Sequence, residues 1–147
     1  MLIDGRYEIH DVIGEGGMGF VYRALDLKRN TEVAVKTLKN PRDVASLTLF
    51  KKECTVLSSL NHANIVDIRD FGEYDDAGVT RPFLVMPLLP GMTLDAIILK
   101  QPGRLTPERV IDMVMQVCRG LQAAHEAGVI HRDLKPSNLF KIGRAHV

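Results

Sequence analysis

The chain has no charge excess, since 19 Lys and Arg against 18 Asp and Glu leave a net charge of +1. That balance gives no reason to expect a nucleic-acid partner, and no acidic block reads as a solvating tail. Long apolar runs are missing as well. None approaches the roughly 20 residues that span a bilayer. The opening MLIDGRYEIHDVIG carries Asp4, Glu8 and Asp11 with no apolar core segment, so it does not read as a secretory signal peptide. The expectation is a cytoplasmic domain with no membrane segment in this chain, any anchor lying outside it. Cysteine is scarce. Cys54 and Cys118 show no CxxC spacing and no nearby His ligand pattern, which argues against a zinc site and a disulfide framework. Both sit in apolar, helix-like stretches and read as buried free thiols. There is no internal repeat and no low-complexity segment.

What is present is an ordinary globular composition, 46% hydrophobic and 25% charged over 147 residues. That suits one domain or the first half of a larger one. Residues 7–14 and 19–26 read as strands around a glycine cluster, with Asn30 suited to a positive φ in the polar turn that follows. In EVAVKTL, Val33 and Val35 fall on one face and Ala34 and Lys36 on the other. After Pro41 the period changes, and Leu49, Phe50, Glu53, Val56, Leu57 and Leu60 recur at helical spacing. IVDIRDFGEY and RPFLVM read as two more strands. Pro87, Pro90 and Gly91 then make a break too short for a flexible linker but suited to a hinge. Beyond it the chain turns helical. A short helix spans 93–100. A long one starts at Thr106 as N-cap with Pro107 first and Glu108 close behind, and stops at Gly128. Val110, Ile111, Val114, Val117, Cys118, Leu121 and Ala124 form its apolar face. Met113 and Met115 widen that face, so partners are expected on several sides.

Three stretches carry chemistry. GEGGMGFV sets Gly14, Gly16 and Gly19 in a G-x-G-x-x-G-x-V pattern. A glycine-rich hairpin is the plain reading. A dinucleotide fingerprint requires a helix after the glycines, and the strand-like FVYRAL stands there instead. Met18-Gly19-Phe20 is not the Gly-Lys-Ser/Thr of a Walker loop. The surviving functional reading is a strand–loop–strand flap whose backbone N–H groups cover phosphates. In VAVK, Lys36 sits within a short apolar strand, where a lysine is costly unless it is paired, reaches a ligand or snorkels to water. A cation there suits α/β-phosphates and needs an anionic partner. Glu53 on the following helix is the candidate, or else a boundary residue.

HRDLKPSN, residues 131–138, matches H-R-D-L-x-x-x-N in full, and that pattern is specific. With the glycine loop, VAVK, helix glutamate, hinge and catalytic loop in family order over residues 7 to about 141, the chain resembles the protein kinases. In detail it is similar to the eukaryotic-like serine/threonine kinases of bacteria. The resemblance implies an α+β, two-lobe fold. A five-stranded antiparallel sheet with one main helix would fill 1–86, the hinge 87–91, and the start of the helical lobe 92–141. It implies ATP and Mg²⁺ as cofactors, protein Ser/Thr hydroxyls as substrate and no nucleic acid; it gives no oligomeric state. Asp133 would accept the substrate hydroxyl's proton, a role that typically contributes ~10²–10⁴-fold. Lys135 would neutralise the transferring phosphoryl group, and Lys135-Pro136 marks the serine/threonine pattern. Asn138 would hold the second Mg²⁺. Arg132 would clamp a phosphorylated activation segment, and His131 would pack the loop. Met86 matches the gatekeeper. The adenine would lie against Ile13, Val21 and Ala34, bonding the Pro87 carbonyl and the Leu89 N–H. Pro87 departs from the family's frequent Glu but keeps the carbonyl. Asp95 suits a ribose hydroxyl, or simply the positive end of its helix. His62 and Asn64 in LNHANIV read as structural.

The family's Asp-Phe-Gly, which supplies the main Mg²⁺ ligand, does not appear in LFKIGRAHV. The expectation is a chain that, as written, transfers phosphate poorly and whose long helix lacks its partners, with the first lobe semi-autonomous. An ATP-binding pseudokinase or sensor is the alternative. The presence of Lys36, Glu53, Asp133, Lys135 and Asn138 together disfavours it. The last six residues, IGRAHV, are the translation of ATC-GGA-AGA-GCA-CAC-GTC, a string found in a widely used sequencing adapter. Residues 142–147 are therefore expected to be adapter-derived, with the gene read only to about Phe140 or Lys141, the alternative being a real but unusual C-terminus.

Overall fold

A computed structural model of the chain describes residues 1–16, 19–131 and 134–142. Arg132 and Asp133, expected as phosphate clamp and base, lie outside the described residues, as do Gly17, Met18 and residues 143–147 of the expected adapter tail. The chain divides into two compact units. The first comprises residues 1–61 and 66–88, and the second comprises 62–65 and the chain from Leu89 onward. The division between Leu88 and Leu89 falls inside the expected hinge segment 87–91.

In the first unit, β1 (Leu2–Ile3), β2 (Tyr7–Glu15), β3 (Gly19–Asp26), β4 (Thr31–Leu38), β5 (Asp70–Asp76) and β6 (Val79–Pro87) form one antiparallel sheet. Its order is β1-β2-β3-β4-β6-β5. Helix α1 spans Val44–Ser59. The period-2 pattern of β4 divides the core. Val33 and Val35 are fully buried on one face with Ile3, Tyr7, Ala24, Phe83 and Val85. On the other face Leu38 and Leu84 meet Phe50 and Cys54 of α1. Asp43 caps α1 by accepting from the Ser46 N–H at 3.2 Å, so the helix starts earlier than its apolar periodicity alone indicates. Asn30 has φ 52° in the β3–β4 turn, as its side chain predicts. The β5–β6 turn places Ala77 and Gly78 at φ 52° and 82°, the primed geometry that matches strand twist.

The five expected strands all form, and two details differ. The sheet gains a sixth, two-residue strand, β1, whose Ile3 seals the core beside Tyr7. Strand β5 begins at Asp70 rather than at residue 65. The Arg69 N–H still reaches the Val85 carbonyl at 2.8 Å. Two residues on, Pro87 occupies the next position of β6 facing β5 and has no N–H to extend the ladder.

In the second unit, β7 (Met92–Thr93) pairs antiparallel with β8 (Phe140–Lys141), followed in chain order from β7 by α2 (Leu94–Lys100) and α3 (Pro107–Glu126). The α3 signals act as their chemistry predicts. Thr106 accepts from the Arg109 N–H, Glu108 stands in the first turn with its carboxyl held below the usual range by the helix N–H and Thr106, and Gly128 takes φ 79° just past the end. Along α3 only Gly120 and Ala124 are buried, whereas Ile111, Val114 and Met115 are each at least half exposed. Cys118, expected to be buried, is exposed because no described residue packs over that side of α3; both cysteines are free. Residues 62–65 rest on this helix, with Asn64 Nδ2 donating to Gln116 Oε1 at 3.3 Å. Among the described residues no helix is long and apolar enough to cross a membrane.

Candidate functional site

The glycine segment joins β2 to β3. Glu15 and Phe20 are the last paired residues, and the Gly16 N–H donates to the Gly19 carbonyl at 2.9 Å. It is a strand–turn–strand, so the dinucleotide alternative, which needs a helix there, is removed. Gly19 is required by packing. A Cβ at that position would strike the Thr37 carbonyl oxygen of β4. Gly16 has open space around its Cα, and a Cβ at Gly14 would make only an ordinary contact with Val21, 3.6 Å away.

Lys36 stands opposite Val21 on β3 and Leu84 on β6, and Ala34 stands opposite Met86. In antiparallel pairs directly opposed side chains share a face. Val21, Ala34, Lys36, Leu84 and Met86 therefore lie on the α1 face of the sheet. There α1 delivers Glu53. Lys36 Nζ donates to Glu53 Oε1 at 3.0 Å and Oε2 at 3.3 Å, so the pairing left open by the sequence is formed. Lys36 Nζ also stands 5.9 Å from the centre of the Phe50 ring. Both charged groups stay partly solvated, with side-chain exposures of 24% and 36%. A lysine held at its tip by a carboxylate and still partly solvated avoids a full desolvation cost. Beside it, burial first and then the Glu53 charge push the Cys54 thiol up to about 11, so this cysteine is a packing residue.

The remaining expected residues are placed as follows. Ile13 sits at a register shift in β2 and is 46% exposed. Met86 is half-buried against the α1 cluster, and Pro87 ends β6 opposite Val33. Leu89 opens the second unit and is half-buried. Lys135 precedes a 3-10 turn, Pro136–Asn138, closed by the Asn138 N–H donating to the Lys135 carbonyl at 2.9 Å. The Leu94 N–H then donates to the Leu139 carbonyl at 2.8 Å, tying this loop to α2. Asp95 stands in the first turn of α2 with one carboxylate oxygen buried and unbonded among the described residues. Asn138 offers a hard amide oxygen suited to Mg²⁺, and among the described residues no group of three or more His, Cys, Asp or Glu could hold a metal.

The sequence reading missed a part-buried polar cluster. Arg6 donates through Nε and Nη2 to the two carboxylate oxygens of Asp26, at 2.9 and 2.7 Å, and through Nη1 to Asp70 Oδ2 at 3.1 Å. The Tyr7 hydroxyl donates to the same Asp70 oxygen at 2.5 Å. The Arg6 guanidinium holds the Asp26 carboxyl down at about 2, aided by the Arg29 and Lys28 N–H groups. Burial first, then Asp70, drives the Tyr7 hydroxyl above its ordinary range. The only sequence signal was Arg6 next to an aromatic at a strand start.

Comparison with known proteins agrees with this architecture. A family model described as the protein kinase domain matches residues 7–146. The serine/threonine-protein kinase PksC of Streptomyces coelicolor is 35% identical over 151 residues, covering 99% of this chain and 27% of PksC. The serine/threonine-protein kinase PknB of Mycobacterium tuberculosis is 37% identical over 140 residues, covering 94% of this chain and 22% of PknB. The chain thus spans about a quarter of the length of these curated relatives. With a glycine hairpin, a strand lysine held by a helix glutamate and a family match over nearly its whole length, the chain belongs to the protein kinase domain family.

Proposed function

We propose that the protein transfers the γ-phosphate of ATP to Ser/Thr hydroxyls of protein substrates in the cytoplasm. The observation that carries this is the bidentate Lys36–Glu53 pair on the α1 face of a sheet whose β2 and β3 are joined by a glycine turn, in a chain that also holds HRDLKPSN. Lys36 is the group for the α/β-phosphates, and Glu53 fixes its tip. Gly14, Gly16 and Gly19 keep backbone near the phosphates. Ile13, Val21, Ala34 and Met86 offer apolar surface for the adenine, with the Pro87 carbonyl and the Leu89 N–H as its hydrogen-bonding groups. Asp133 orients the acceptor hydroxyl and takes its proton, Lys135 screens the transferred group, and Asn138 holds Mg²⁺. Arg132 is the clamp for a phosphorylated segment. Bound Mg²⁺ supplies charge neutralisation at the β- and γ-phosphates.

The test has two arms. Titrating ATP with Mg²⁺ into the chain should give saturable binding that Lys36→Met weakens at least tenfold and Glu53→Gln weakens less. In the protein encoded by the complete open reading frame, Asp133→Asn should abolish phosphate incorporation into Ser/Thr while leaving ATP affinity within about threefold. Undiminished incorporation in the Asp133 variant, or ATP binding indifferent to Lys36→Met, would refute the assignment.

A further inference from the structure

A second lysine contacts both strand ends of the glycine hairpin. Lys39 lies one residue past the end of β4. Its Nζ forms an ion pair with Glu15, the last residue of β2, and stands 4.9 Å from the centre of the Phe20 ring, near the start of β3. Glu15 and Phe20 are directly opposed and are the final pair before the turn. One cation therefore grips both shoulders of the glycine turn. The pair is solvent-exposed, with side-chain exposures of 34% and 59%, so its effect comes from bracketing the turn and not from burial.

The backbone that carries Lys39 is itself held. Arg81 on β6 donates through Nη1 to the carbonyls of Leu38 and Lys39, at 3.2 and 3.1 Å. Asp76 on β5 fixes the Arg81 guanidinium through Nε at 2.7 Å. The anchor thus runs from the β5–β6 hairpin through two fixed carbonyls to the lysine and on to the turn. Close to this point the buried Gly19 also sits against the Thr37 carbonyl. The strand ends that flank the turn are consequently held on two sides, by backbone packing at Gly19 and by Lys39 at Glu15 and Phe20.

We infer that Lys39 is a positioning residue that holds the shoulders of the glycine turn at the height where its backbone N–H groups meet phosphates. It touches no nucleotide and acts through Glu15 and Phe20. This rests on the nucleotide reading above. The expected signature is a loss of affinity for phosphate-bearing nucleotide but not for the nucleoside. An ion pair and a cation–π contact at a partly exposed site together correspond to roughly a threefold to tenfold effect. Arginine should substitute, because it keeps both the charge and the ring contact.

The experiment compares the 147-residue chain with Lys39→Met and Lys39→Arg. Dissociation constants are measured for ATP and for adenosine, together with amide exchange at Gly16, whose N–H closes the turn onto Gly19. Lys39→Met should weaken ATP roughly threefold to tenfold, leave adenosine unchanged and speed Gly16 exchange by a similar factor, with Lys39→Arg restoring both. Equal weakening of ATP and adenosine would overturn the inference, as would unchanged Gly16 exchange or Lys39→Met binding ATP like the parent. A parent chain that binds neither ligand would instead overturn the nucleotide reading, and the positioning role with it.

Discussion

Replacing Asp26 by Asn keeps the shape of the side chain and removes the charge that holds Arg6. The Asp26 side chain is 3% exposed and accepts two guanidinium bonds and the backbone N–H groups of Lys28 and Arg29. A hydrogen bond to a charged group contributes about 1.5–3 kcal/mol. Asn still accepts one of the Arg6 bonds, so Asp26→Asn should lower the stability of the first unit by about 2 kcal/mol near neutral pH. The acid dependence follows from the direction of the shift. The carboxyl falls from 3.8 to about 2 on folding, so its contribution is complete above the unfolded value and is lost as pH falls through about 2. The stability difference between parent and variant should therefore be flat above about pH 5 and shrink between about pH 4 and pH 2. Urea denaturation followed by tyrosine fluorescence, at a series of pH values, reads this directly. A difference below about 0.5 kcal/mol at neutral pH, the size of an ordinary surface substitution, would refute the reasoning. So would a difference that stays constant down to pH 2.

Gly19→Ala should destabilise the first unit by about 1–3 kcal/mol in the same assay, because its Cβ meets the Thr37 carbonyl of β4, whereas Gly16→Ala should cost under about 1 kcal/mol. The two thiols should separate by reactivity. At pH 8 Cys118 should react with a thiol reagent in the native state, while Cys54, buried and pushed up to about 11, should react only on unfolding. Equal rates for the two would contradict the burial. Gly120→Ala adds a helix former worth about 1 kcal/mol to α3 but brings a Cβ to 3.0 Å from the Asn64 carbonyl oxygen. Helix content by circular dichroism should hold or rise while the Ile65 amide, bonded to the His62 carbonyl, loses exchange protection. Retained protection would show that residues 62–65 adapt without leaving α3.

Much of this protein was legible along the chain, for local reasons. The alternation of β4, Asn30 at positive φ, the Thr106 cap and the Gly128 stop depend on residues a few positions apart, and each forms as its chemistry dictates. HRDLKPSN and the glycine spacing carried the family because they are short contiguous motifs. Packing was less legible. Cys118 lies in an apolar helical stretch and read as buried, but burial depends on what lies across from a helix face, which periodicity does not contain. Strand β5 starts at Asp70 because of a proline on its neighbour, information held 17 residues away.

By itself, then, the sequence determined the main strands and helices, their order, the motif set and the family, since these rest on periodicity, capping and local pattern, whereas the two-residue strands β1, β7 and β8 exist only through their pairing partners. Tertiary structure alone decided the partnerships. It joined Lys36 to Glu53, which the sequence offered only as a candidate, gathered Arg6 of the β1–β2 turn with Tyr7, Asp26 and Asp70 of three strands, and set Lys39 against both Glu15 and Phe20. The physical reason is that an ion pair or buried hydrogen bond forms where sheet register and helix docking bring two groups within about 3 Å. The residues in these contacts stand up to 64 positions apart in the chain.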